Sequence, residues 1–385
     1  TASTTTTTTT NTKAAPRDPD TGELIWKRRE VHSGRALTVS TVEWSVADKA
    51  AVPTSVLEGF LWDKETEVDR FRERVPLSNL VSQSRNNNAA FTTTRPWTKG
   101  IIEKYNNNKK KKLVLIPECK RQDPASTTVL HGRYNAKTLA KSFIDYIGND
   151  DVIPALSVNC DAVLFGGTLE DVTQVREMMN NDNNDNDNNS NDAVPPVLAS
   201  DLILYPYQLY KLQMAGADAV TLVAGALTNK DFLYLTKIAS SLRLQCIVSV
   251  TSEYQLRLLL SSKLGSNSSI HGIIVSNRNL EDYSIDDSGQ QALDLLRSSA
   301  LQDVKEYFGN ADDDDTNLLP ILVEGRVGVI TYGDGGTTES YLQALEEAGA
   351  TGAIVASAIS EGGRRRGDTN NDDDDDDDPL ALLTR

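Results

Sequence analysis

A chain of 385 residues with a formal charge of -16 and 39% hydrophobic content has room for one large domain or two medium ones. The diffuse acidic balance excludes nucleic acid as a partner, because phosphates are repelled, and no apolar run reaches the length of a membrane span. Much of the charge lies in the Asp runs at 312–315 and 372–378, which read as solvated and lack the spacing of a calcium loop.

In chain order, residues 1–40 are polar and poor in aliphatics, and read as a disordered or extended tail. The chain starts on Thr, and the threonine tract at 4–10 resembles the segment just after the cleavage site of a targeting peptide, so an organelle is expected. Residues 41–112 read as a helical extension. Pro53-Thr54-Ser55 offers a helix start, and Val56, Leu57, Phe60, Leu61, Val68 and Phe71 recur at helical spacing. Leu77, Leu80 and Val81 mark a second amphipathic stretch, and the lysine run at 109–112 reads as a solvated boundary. Trp26, Trp44, Trp62 and Trp97 are expected to pack this extension onto the C-terminal two thirds of the chain.

A rhythm sets in after residue 112. Apolar runs stand at 113–117, 152–158, 196–199, 218–223, 245–250, 270–275, 319–324 and 351–356, with helical patterns between most of them, for example at 206–214, 231–242, 253–264 and 338–348. Alternation of this kind requires a parallel sheet, because each crossover needs a helix. Eight such units predict an α/β fold: a closed (β/α)8 TIM barrel over 113–362, with an acidic low-complexity tail at 363–385. An open nucleotide-binding sheet would carry a glycine-rich turn after its first strand, where Arg121-Gln122-Asp123-Pro124 stands instead. The low-complexity insertions at 180–192 and 311–316 precede strands, which puts them on the bottom face. The three cysteines, Cys119, Cys160 and Cys246, lie in or beside strands and read as buried free thiols.

Leu113-Val114-Leu115-Ile116-Pro117-Glu118-Cys119-Lys120 is a buried strand ending in a carboxylate and an ammonium two positions apart. Residues i and i+2 face one side of a strand, so Glu118 and Lys120 share a space at the strand's C-terminal end, where barrels place their sites. His271 opens the sixth strand and reads as structural. His131 lies in the first loop near the mouth, and a ligand contact there carries a small prior. Gly333, Gly335 and Gly336 could form an anion nest, although a connector is the plainer reading.

Several stretches together resemble the indole-3-glycerol-phosphate synthase family, the barrel lyases of tryptophan biosynthesis. They are the run at 56–69, Glu118-Cys119-Lys120-Arg121 with Pro124, Leu156-Ser157-Val158 with Asp161 and Phe165-Gly166-Gly167, Val197-Leu198 with Asp201 and Pro206-Tyr207-Gln208, Ala215-Gly216-Ala217-Asp218, and Ser276-Asn277-Arg278-Asn279. The resemblance covers roughly 40–360 and is strongest to cyanobacterial and plant members, which implies a plastid stroma. It implies ring closure of a carboxyphenylamino deoxyribulose phosphate with loss of carbon dioxide and water, without metal or organic cofactor. Such a site needs a cationic acid, a proton-moving carboxylate and a phosphate cradle.

By the resemblance, Glu118, Lys120 and Glu324 are the catalytic matches and Arg278 is a substrate-binding match. The family's lysine, glutamate and asparagine on strands 3, 5 and 6 fall on Ser200, Ser249 and Ser276. Its phosphate cradle falls on Asp123, Gly325, Arg326, Ala356 and Ser357, where Asp123 brings a negative charge and Arg326 either supplies a cation or blocks the cradle. Serine cannot deliver a proton as an ammonium can. The leading expectation is therefore an impaired synthase-like barrel, retained to bind a phosphorylated small molecule or a protein assembly partner. Next come an active synthase using Lys120, Glu118 and Glu324, and then a barrel rebuilt for another phosphosugar.

Overall fold

The computed structural model describes residues 14–29, 46–47, 51–87, 95–108, 112–125, 130, 133–147, 153–182, 194–261, 270–309, 318–327 and 337–356. Eight parallel strands close on themselves: β1 (Val114–Cys119), β2 (Leu156–Asn159), β3 (Val197–Ser200), β4 (Ala219–Val223), β5 (Gln245–Val250), β6 (Ile270–Ser276), β7 (Ile321–Glu324) and β8 (Gly352–Val355). β8 pairs with β7 and back onto β1, so the expected TIM barrel is present. Its strands are near-continuous apolar runs because helices cover their outer faces and side chains fill the inside.

The helices are α1 (Val56–Arg74), α2 (Leu77–Asn87), α3 (Trp97–Asn107), α4 (Ala136–Ile147), α5 (Leu169–Asp182), α6 (Pro206–Met214), α7 (Asn229–Ser241), α8 (Glu253–Ser261), α9 (Gln290–Leu296), α10 (Ser299–Phe308) and α11 (Thr338–Glu347). Among the described residues none is long and apolar enough to cross a membrane.

The barrel interior is an apolar cluster of Val114, Ile116, Leu198, Ile247, Ile274, Leu322 and Ile354, closed at one end by Trp97 and Ile101 of α3. The Trp97 indole N–H donates to the Leu156 carbonyl at 2.9 Å, and Thr98 bonds the Gln245 side chain. Leu156 and Gln245 open their strands, so α3 plugs the bottom of the barrel and leaves the opposite end free for a site. The Cys119, Cys160 and Cys246 thiols are free and buried. Burial pushes the Cys246 thiol up to about 12, so it is no nucleophile. His271 accepts from the Cys246 N–H through Nδ1 at 3.2 Å, a structural contact at the strand start.

α1 begins where Ser55 accepts from the Glu58 N–H, the cap its sequence announces. It buries Leu57, Phe60, Leu61 and Val68 and runs along the mouth of the barrel.

Part of the stretch read as a tail departs from that expectation. Residues 14–29 lie along the mouth side, with Arg28 buried against Glu65 and stacked over the Tyr205 ring at 5.2 Å. The Trp26 indole donates to the Gly225 carbonyl at 3.0 Å, and the Trp62 indole to the Lys27 carbonyl at 2.7 Å. Arg17 pairs with Glu281 at 2.7 Å, and Glu23 accepts from Ser252 and Gln255. Leu24 and Trp26 also pack against the main apolar cluster, but most of these contacts are polar, which hydrophobic patterning does not reveal. Trp44, the run at 312–315 and the tail at 363–385 lie outside the described residues.

Candidate active site

The C-terminal ends of the strands surround a pocket with about 640 Å³ of space open to solvent. Glu118, Lys120, Ser200, Ser249, Ser276, Arg278 and Glu324 all line it, so seven residues singled out in the sequence converge. The Lys120 ammonium lies 2.6 Å from a Glu118 oxygen and 3.9 Å from Asp123, with both Lys120 and Glu118 buried. Burial alone would lower the pKa of Lys120; the Glu118 and Asp123 carboxylates outweigh it and raise it.

Arg278, just past the end of β6, forms a fork with Asp123: Nη1 donates to Oδ1 at 2.9 Å and Nη2 to Oδ2. Its Nε stands 3.6 Å from Glu324. Although burial pushes the Asp123 carboxyl up, Arg278 and Lys120 prevail and hold it well below the usual carboxylate range. Asp123 is therefore a fixed anion inside the site. The Phe165 ring lies beneath both cations, 5.1 Å from the Lys120 nitrogen and 5.4 Å from the Arg278 guanidinium.

The three serines behave differently. Ser276 donates to Glu324 at 2.6 Å. The Ser200 and Ser249 hydroxyls have no hydrogen-bond partner among the described residues, and both face the pocket. Between them on β4, Thr221 also lines the pocket, and its buried hydroxyl is without a partner.

Three charged groups at the mouth, Lys64, Asp161 and Asp201, are absent from the sequence-based site candidates. Lys64 of α1 is 1% exposed, and its ammonium lies 2.6 Å from Asp161 and 2.8 Å from Asp201, with Glu67 at 2.7 Å. Asp161 and Asp201 line the pocket, as Ser200 does, while Lys64 is not among the lining residues and reaches the pocket through them. A signal for it exists in the sequence: Leu57, Leu61, Lys64 and Val68 form one helical stripe, and a charge on a buried stripe demands partners. Burial pushes the Asp201 carboxyl up to about 7; Lys64 opposes this, and the Asp161 charge adds to it. Two carboxylates thus share one ammonium. The same carboxylates raise Lys64 far above the ordinary lysine value, despite its burial.

The remaining cradle positions are spread out. Gly325 adopts φ 107°, and a Cβ there would lie 3.0 Å from the Asn277 Cβ, so only glycine fits without strain. Arg326 takes φ 52°, unusual for a residue with a side chain, and its guanidinium lies 3.7 Å from Asp287. It is not among the residues lining the pocket. Ala356, just past β8, is half-buried; Ser357, His131 and the loop at 332–336 lie outside the described residues. Among the described residues no group of three or more His, Cys, Asp or Glu is arranged to hold a metal ion.

Residues 57–304 match the profile of a protein family, indole-3-glycerol phosphate synthase. A protein of that name from Prochlorococcus marinus (strain AS9601) is 30% identical over 292 residues, 74% of this chain and 88% of the relative. Those from Microcystis aeruginosa and Trichodesmium erythraeum are 29% and 28% identical, covering 69% and 78% of this chain and 79% and 84% of theirs.

Proposed function

Since the chain belongs to the indole-3-glycerol phosphate synthase family, we propose that it is a member with impaired ring-closing chemistry, its barrel retained as a binding or assembly component. One observation carries this reading. Each of the three cations at the pocket, Lys64, Lys120 and Arg278, is held by at least two carboxylates. An ammonium held between carboxylates gives up its proton reluctantly, and the positions where the family resemblance expects a further ammonium and carboxylate carry the Ser200 and Ser249 hydroxyls. Loss of one general acid or base typically costs about 10²–10⁴-fold, and such losses do not simply add. Kinship with cyanobacterial proteins supports residence in a plastid stroma.

The test is turnover of synthetic carboxyphenylamino deoxyribulose phosphate by the full chain, monitored by fluorescence of the indole product. We expect a rate at least ~100-fold below the usual enzymatic range of about 1–10³ s⁻¹. Turnover within that range would overturn the reading.

A second reading, a working synthase using Lys120, Glu118 and Glu324, draws support from Lys64. Its ammonium reaches Asp201, the residue next to Ser200, and so restores positive charge to that side of the pocket. On that reading Lys120→Gln abolishes an otherwise ordinary turnover even in the fraction of chains that stays folded.

A further inference from the structure

We propose that the pocket takes a small polyhydroxylated ligand carrying no phosphate or carboxylate, a sugar or polyol, held along an arc of hydroxyls on β3, β4 and β5. The proposal deepens the reading of an impaired synthase and rests on it.

Three observations lead there. The first is the arc itself. Ser200, Thr221 and Ser249 stand on three neighbouring strands, line one pocket, and have no hydrogen-bond partner among the described residues. Thr221 is 5% exposed, and a buried hydroxyl left unpaired is costly unless something occupies the space before it. Each hydroxyl both donates and accepts, so an array of them can pair with the hydroxyls of a ligand in either direction.

The second observation is charge. Glu118, Asp123, Asp161 and Glu324 face Lys64, Lys120 and Arg278, four carboxylates against three cations before Asp201 and Glu67 are counted. A phosphate entering this space meets an excess of like charge. The cation best shaped to receive it, the Arg278 fork, already holds the Asp123 carboxylate. The third is the wall. Phe60, Phe165, Leu202, Leu280 and Tyr283 give the pocket apolar and aromatic surface on which the C–H faces of a sugar ring can rest.

The test compares D-ribose with D-ribose 5-phosphate and inorganic phosphate on the full chain, by calorimetry and thermal shift. D-ribose is expected to bind in the millimolar range, and its 5-phosphate about tenfold more weakly or worse. Thr221→Val supplies the second arm. Removing a hydroxyl that serves only a ligand should raise the thermal midpoint of the free chain while weakening D-ribose binding ~3- to 10-fold. A hydroxyl that serves the fold would instead lower the midpoint. Tighter binding of the phosphorylated sugar, no binding of D-ribose, or Thr221→Val destabilising the chain with D-ribose affinity unchanged would each overturn the proposal. The indole assay separates the two ideas. Ordinary turnover brings down the impaired-synthase reading and this inference together; absent turnover with a preference for the phosphorylated sugar brings down this inference alone.

Discussion

Arg278 and Asp123 stand 155 positions apart in the sequence and meet as a two-pronged buried pair at the barrel mouth. Asp123 lies just past β1 and Arg278 just past β6, so closure of the barrel brings them together. The carboxylate takes up the two donors that a guanidinium would otherwise offer to a ligand anion. Asp123→Asn should therefore have two effects. Leaving buried Arg278 with only the more distant Glu324 carboxylate beside it is expected to cost up to about 3–5 kcal/mol, read as a lower urea midpoint. In the fraction that stays folded, affinity for inorganic phosphate should rise, because a cation has been released into the pocket. If phosphate affinity is unchanged, Arg278 is not held in check by Asp123.

Asp201 gives a pH dependence whose sign can be worked out. Its folded pKa, near 7, lies above the unfolded value of about 3.9, so the folded state holds the proton more tightly. Stability from this group therefore falls as pH rises from about 4 to 7. Asp123 runs the other way: depressed when folded, it contributes stability above about pH 3.9 that is lost as pH falls through its folded value. Asp201→Asn isolates the first effect, since the amide oxygen can still accept from Gln208 and Lys64 keeps Asp161. Between pH 5 and pH 8 the wild-type chain should lose stability relative to this variant, by at most about 3 kcal/mol. Urea midpoints of both proteins at the two pH values decide it; a constant difference would mean that Asp201 is already ionised at pH 5.

Much of the barrel is legible in the sequence because its signal is periodic. The helix expected at 206–214 is α6, and the strand expected at 245–250 is β5. Glu118 and Lys120 are legible as a pair because a strand's two-residue alternation fixes which side chains share a face. The contacts that periodicity misses depend on distance in three dimensions. Glu65 of α1 binds Arg28, in a stretch whose polarity suggests a tail, and no repeat marks that contact. The fork between Asp123 and Arg278 joins loops that only barrel closure makes neighbours. Thr221 does not stand out, because a threonine inside an apolar strand looks like ordinary β-propensity; its unpartnered hydroxyl is visible only once the pocket exists.

Restoring the two lost groups tests the account of what was removed. Ser200→Lys with Ser249→Glu returns an ammonium and a carboxylate to the pocket, where the wild-type hydroxyls have no partner to lose. Indole formation should rise by about 10²-fold or more, provided Glu118, Lys120 and Glu324 still hold their geometry. Ser200→Lys alone should also narrow the excess of carboxylates over cations and so favour phosphorylated ligands. A doubly restored chain that folds but gains no activity would place the defect elsewhere, with the Arg278–Asp123 fork the next group to release.

Trp97 separates stability from the site. Its indole lies fully buried at the bottom of the barrel, bonded to the Leu156 carbonyl, while the lining of the mouth pocket does not include it. Trp97→Ala opens a large cavity and leaves that carbonyl without its donor, so a loss of about 3–5 kcal/mol is expected. Trp97→Phe keeps most of the ring volume and loses chiefly the hydrogen bond, about 1 kcal/mol. Urea denaturation should rank the two in that order. Because the plug and the mouth lie at opposite ends of one packed interior, D-ribose affinity of the Trp97→Phe chain should match that of wild type. A large change in affinity would mean that strain at the plug reaches Thr221 and Ser249 through the strands, and that the two ends of this barrel are coupled.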